Sequence, residues 1–127
     1  MNDKAGREMD AQVHKVLWPN DEVQCFTTLA RADNAKLDTA RYSRNCGQWK
    51  LVPYYSTELS AWNFAYKGWR WQIAVSWKRL TVTLCEYDGR PGYMTLAYAQ
   101  VDLDVANWQG TVAEAMSRCV LEWAGVR

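Results

Sequence analysis

Between positions 41 and 55 the chain gathers Arg41, Arg44, Trp49, Lys50, Tyr54 and Tyr55. Aromatic residues beside arginines are the types that anchor protein interfaces, where a ring fills a pocket and a guanidinium spans its polar rim. The same set can stack a base and pair a phosphate, the chemistry of a nucleotide ligand. A plainer use competes with both: a hydrophobic staple that fixes the entry of the chain into a following helix. Arg70 joins the set from a strand downstream, on an outward face it would share with Gln72, Thr81 and Thr83.

Catalysis asks for a nucleophile with a base, a metal set or a carboxylate pair. His14 is the only histidine, and no cysteine, serine or carboxylate is marked out beside it, so it reads as a boundary residue of its helix. Cys25, Cys46, Cys85 and Cys119 contain no CxxC pair; zinc ligands come closely spaced, so buried reduced thiols are the reading. Asp102 and Asp104 alternate like an acid/base or metal pair, but such a pair more often marks a solvated strand end. Gly89-Arg90-Pro91-Gly92 lacks the spacing and lysine of a phosphate loop. The expectation is no enzyme, no metal and no cofactor.

Composition sets the frame for these residues. The 127 residues are 49% hydrophobic and 23% charged, which suits one soluble globular domain with its own core. No apolar run approaches the roughly 18 residues of a membrane span, and the polar start Met1–Glu8 does not read as a signal peptide, so a cytoplasmic, non-membrane protein is expected. Net charge is +1 but uneven: −2 over residues 1–40, +5 over 41–100 and −2 over 101–127. The basic middle can attract an acidic partner. Proteins that grip duplexes through many phosphates are far more basic than this.

The elements that must position these residues follow from periodicity. Met9, Val13 and Val16/Leu17 share one helical face, predicting a helix over about 4–17 that ends at Trp18-Pro19. Residues 20–51 form a variable insert: a short strand over 23–29, a polar excursion to Arg41, then turn chemistry from Tyr42 to Lys50. Ser56 or Thr57 is placed to cap a second helix running to about Lys67. Trp69 to Trp77 has every odd residue large and apolar, the period of a strand with one face in a core. A second strand puts Leu80, Val82 and Leu84 inward, and after the Asp88–Gly92 turn a third runs from Tyr93 to Val101. Thr111 and Glu114 have capping-box spacing at the start of a last helix whose apolar stripe ends at Trp123. Five tryptophans, Trp62, Trp69, Trp71, Trp77 and Trp123, fall on predicted core faces. The fold class is therefore α+β: a single-domain sandwich, with a three-stranded antiparallel meander packed against helices from both ends of the chain and a helix–three strands–helix core over 57–126.

Val52-Pro53-Tyr54-Tyr55-Ser56-Thr57-Glu58-Leu59-Ser60-Ala61-Trp62 resembles the Pro-Tyr-Ser-Thr-Asp/Glu stretch, running into an Ala/Trp-rich helix, of the phage ABA sandwich domain family. Glu8–Val13 and Thr111–Met116 resemble the first and last helices of that family, while the aromatic insert at 20–51 departs from it. The resemblance implies an α+β sandwich and a phage or prophage accessory protein without a defined catalytic apparatus; it carries over no site residue. The expected function is a non-catalytic binding protein in the host bacterial cytoplasm that inhibits a defence system, such as CRISPR-Cas, by occluding a host protein. The candidate surface is Arg41, Arg44, Trp49, Lys50, Tyr54, Tyr55 and Arg70. A sponge for a nucleotide immune signal is one alternative. A double-stranded RNA or DNA binding module is another: residues 57–126 share the element order of the double-stranded RNA-binding domain but lack lysines at the start of the last helix.

Overall fold

The computed structural model describes residues 5–27, 39–44, 47, 50–63, 69–86 and 94–125. Helix α1 (Arg7–Leu17) buries Met9, Val13 and Leu17, the face that periodicity predicted. It stops where Pro19 forbids continuation, with the Trp18 N–H donating back to His14 O at 2.8 Å. Strands β1 (Glu22–Thr27), β2 (Thr39–Arg44) and β3 (Lys50–Leu51) form a small antiparallel sheet in that order. The expected turn from Tyr42 to Lys50 is corrected in part: Tyr42, Ser43 and Arg44 belong to β2, opposite Gln24, Val23 and Glu22. Their sequence has no apolar alternation, so only long-range pairing with β1 makes them a strand. The excursion expected from Ala30 to Arg41 is corrected at its end, where Thr39–Arg41 open β2 opposite Thr27, Phe26 and Cys25; residues 30–38 lie outside the described residues.

The principal sheet is the predicted meander. Strands β4 (Trp69–Ser76), β5 (Arg79–Glu86) and β6 (Met94–Asp102) are antiparallel in the order β4-β5-β6. Leu80, Val82 and Leu84 of β5 are buried, while Thr81 and Thr83 face the other side. A register shift at Leu84/Cys85 opposes Ala97 and then Thr95, so Cys85 is buried directly after Leu84. The turn expected at 88–92 lies outside the described residues.

Helix α2 (Trp108–Trp123) packs against β5 and β6 on one side and against α1 on the other. That position explains why it is buried almost all round, with Ala113, Ala115, Ser117, Cys119 and Val120 inaccessible. It starts at Trp108, ahead of the Thr111 and Glu114 that the sequence placed at its opening. Asn107 caps it, its Oδ1 accepting from Gly110 N at 3.2 Å, so Thr111 and Glu114 do not form the expected capping box. Thr111 instead donates to Asn107 O and accepts from Asp104 N, and Glu114 pairs with Arg118. With helices from both ends of the chain on an antiparallel sheet, the fold class is α+β. Among the described residues no helix is long and apolar enough to cross a membrane.

Candidate functional site

The Pro53–Trp62 junction does not initiate a long helix. Only a 3₁₀ turn, Leu59–Trp62, follows it, and Glu58 at its start makes no side-chain cap. The remainder of the expected helix, residues 64–68, lies outside the described residues. The hydroxyl predicted to cap is engaged elsewhere. Ser56 donates both its N–H and its Oγ to Asp10 Oδ1, each at 2.7 Å, and its Oγ accepts from Gly6 N at 2.8 Å. Asp10 is wholly buried, and its other oxygen takes Arg7 Nη1 at 2.7 Å. Arg7 reaches Val52 O at 2.6 Å through Nη2 and lies over the Tyr54 ring, 4.1 Å from its centroid. The junction is thus clamped along α1 by one buried carboxylate and one guanidinium, each charge answered by the other and by hydrogen bonds.

One turn further along α1 lies a second network, which the sequence did not mark. His14 Nε2 stands 2.9 Å from Asp21 Oδ2, and its Nδ1 is 3.2 Å from the Tyr55 hydroxyl, which also accepts from Trp18 Nε1 at 3.3 Å. One proton arrangement satisfies every contact: Trp18 N–H to Tyr55 oxygen, Tyr55 O–H to Nδ1, and Nε2–H to Asp21. This is the carboxylate–imidazole–hydroxyl order of nucleophilic catalysis, with a phenol in the nucleophile's place. Tyr55, however, is 2% exposed, and His14 is buried with it. Burial pushes the phenol above its ordinary value, and the Asp10 and Asp21 charges add to the rise while the Trp18 hydrogen bond opposes it. The buried, protonated hydroxyl thus ties Tyr55 to His14 and Trp18 of the α1 end. Spacing gave no hint of it, because Asp21 lies beyond the Trp18-Pro19 break and Tyr55 is 41 residues from His14.

Of the sequence-predicted surface residues, some fall among the described residues. Tyr54 and Lys50 are exposed. Tyr55 is corrected to a core residue, its ring turned inward against His14 and Trp62. Arg41 and Arg44 lie on β2, in register with Cys25 and Glu22; Trp49 lies outside the described residues. Arg70 is exposed on the outward face of β4 beside Gln72, as expected.

The larger departure is on β4 itself. The first half of its inward face is covered: Trp69 packs edge-on against Trp123 at 5.0 Å and Trp71 against Trp62 at 5.5 Å. Beyond that the cover ends, because α2 lies over β5 and β6. Ile73 and Val75 point the same way as buried Val82 and Leu80, their register partners, yet are 52% and 58% exposed. Trp77, expected in the core, is 94% exposed. The strand stops one residue short of it, and Trp77 and Lys78 form a two-residue hairpin between Ser76 and Arg79 with φ of 52° and 63°. Positive φ at both centres is the signature of a type I′ turn, normally given to Asn-Gly because other side chains crowd the backbone there. Trp123, expected on a core face, packs against Trp69 but is 41% exposed.

Asp102 and Asp104 border an open cleft of about 250 Å³ with Asn107, Thr111 and Glu114. Asp102 is ion-paired with Arg79 at 3.2 Å on the surface, and Asp104 accepts from Ala106 N at 3.1 Å as a local cap. Both have the ordinary roles of residues at a strand end. Among the described residues no three His, Cys, Asp or Glu side chains are grouped as metal ligands. No family model, curated protein or solved structure matches this chain.

Proposed function

We propose that this chain is a non-catalytic protein-binding module whose docking surface is the β4–β5 hairpin with the uncovered half of β4. The observation that carries the reading is Trp77: a nearly fully exposed tryptophan on a left-handed turn that a glycine or asparagine would occupy with less strain. Tryptophan is the side chain most enriched at interface hot spots, and Ile73 and Val75 extend its apolar surface along the strand. Lys78, next to Trp77 in the turn, adds an exposed basic group at the end of the patch suited to an acidic rim on the partner. The burial of His14 and Tyr55 supports binding over catalysis. In the setting implied by the Pro53–Trp62 resemblance, the docked protein belongs to a bacterial host and its defence function is occluded, in the host cytoplasm. The test is capture of host proteins from lysate by the folded chain. Trp77→Ala should lose a captured protein that Tyr54→Ala retains; equal capture by wild type and Trp77→Ala would remove the hairpin from the interface.

A further inference from the structure

The geometry of β4 points to a specific occupant for this surface in the free protein: we infer that a second copy of the chain pairs with it, β4 antiparallel to β4, about a two-fold axis at Ile73. The inference rests on the reading of the hairpin as a binding surface and adds what fills it. In a two-residue hairpin the closing pair, Ser76 and Arg79, exchanges both backbone hydrogen bonds. Alternation then commits the backbone of Arg70, Gln72, Ala74 and Ser76 to β5. The N–H and C=O groups of Trp71, Ile73 and Val75 point outward from the sheet edge, where no described strand pairs with them. Two of these odd residues, Ile73 and Val75, also carry exposed apolar side chains, so outward backbone and uncovered hydrophobic surface coincide there. Natural edge strands are blunted by prolines, bulges, inward charges or shortness; β4 is eight residues long, has no proline or bulge, and bears one charge, Arg70, on its outward face.

Self-pairing fits this edge for a reason of parity. A two-fold axis perpendicular to the sheet pairs residues whose numbers sum to an even value, so odd faces odd and the apolar faces of both copies stay on one side. Centred on Ile73, the register sets Val75 opposite Trp71 of the partner subunit, and Arg70 opposite the partner subunit's Ser76. No like charges meet. Moving the centre to Ala74 would set Arg70 against the partner subunit's Lys78. Trp77 lies at the end of the paired run, above the other copy's aromatic start to β4, and covering it removes on the order of 200 Å² from water. With Ile73, Val75 and the strand edge, the contact reaches on the order of 500 Å² per copy, against about 800 Å² for a standard interface. A contact below the standard size is of the weak, transient class and not an obligate one, which leaves a host protein free to compete for the same edge.

Sedimentation equilibrium on the purified chain tests this directly. From about 1 µM to about 300 µM the mass should rise from 14.7 kDa toward twice that value. Ile73→Pro removes only an outward N–H, so it should stay monomeric with an unchanged circular-dichroism spectrum, whereas Ile73→Thr should still associate. Ile73→Cys supplies a readout independent of proline tolerance. It should form a disulfide-linked dimer on mild oxidation at least tenfold faster than Thr81→Cys. A single monomeric mass across the range overturns the inference, as does association that survives Ile73→Pro, or equal cross-linking of the two cysteine variants. Because these measurements use the chain alone, they can fail while host-protein capture through Trp77 stands, and the reverse also holds.

Discussion

At the scale of single residues, the polar groups of the core differ sharply in how well they are answered. Asp10 is buried with its two oxygens divided between Ser56 and Arg7. Asp10→Asn would take the buried carboxylate's charge out of the Asp10–Arg7 pair, and removing one member of a buried pair costs about 3–5 kcal/mol. Ser56→Ala removes one hydroxyl that serves both Asp10 and Gly6, with an expected cost of about 1–3 kcal/mol. Urea unfolding should also show that the double variant costs less than the sum, because both act on one network. Ser117 is the opposite case. Its hydroxyl is wholly buried in α2 with no hydrogen-bond partner among the described residues, so Ser117→Ala should be neutral or stabilise by about 1 kcal/mol. A loss of stability comparable to that of Ser56→Ala would show that the hydroxyl is satisfied in solution.

At the scale of elements, the turn between β4 and β5 sets stability against function. Holding Trp77 and Lys78 at positive φ costs on the order of 1–3 kcal/mol per residue. Replacing the pair by Asn-Gly should raise the urea midpoint while abolishing capture of the docked protein, the exchange expected where strain serves a site. A stability gain with capture intact would show that the turn is strained for another reason. The α2 start is equally specific: a Cβ at Gly110 would sit 2.4 Å from Asn107 Nδ2, so Gly110→Ala must displace the capping side chain and should cost about 1 kcal/mol or more. Both features show what was legible in the sequence. Alternation in β4 and β5 and the 3.6-residue stripe of α2 are local patterns, and the meander and both helices follow from them. Alternation also suggested a buried Trp77, because period two reports which residues share a face but not how far a covering helix extends. Ser56 could be read as a cap because its type suits one; only contact with Asp10, 46 residues away, assigns it otherwise. Tyr55 was drawn to the candidate surface by its neighbours in sequence, and the inward turn of its ring depends on α1 arriving beside it.

At the scale of the molecule, aromatic rings connect the two helices through the sheet: His14 to Tyr55, Tyr55 to Trp62, Trp62 to Trp71, Trp71 to Trp69 and Trp69 to Trp123, each pair of centroids 5.0–6.1 Å apart. The chain of contacts runs from His14 of α1 to the end of α2, so loosening either end should be felt as a loss of global stability. Alkaline pH supplies a way to do this without mutation. Cys119 is buried beneath β5, and burial pushes its thiol from 9.0 to about 11, with Cys85 and Glu122 adding to the rise. Tyr55 is raised from 10.0 in the same direction. In both cases the folded protein holds the proton more tightly than the unfolded chain. The associated stability is complete below pH 9 and falls as pH rises, because the unfolded chain then releases protons that the folded state retains. For Cys119 the loss spans the window from 9.0 to about 11 and amounts to on the order of 2 kcal/mol; Tyr55 continues the decline from pH 10 upward. Urea melts at pH 8, 10 and 11 should show a progressively lower midpoint, and Cys119→Ala should flatten the fall between pH 9 and 11 while leaving the part above it. The same slope in wild type and Cys119→Ala would mean that the thiol opens to solvent before it titrates, and that α2 is not held against β5 as tightly as its burial indicates.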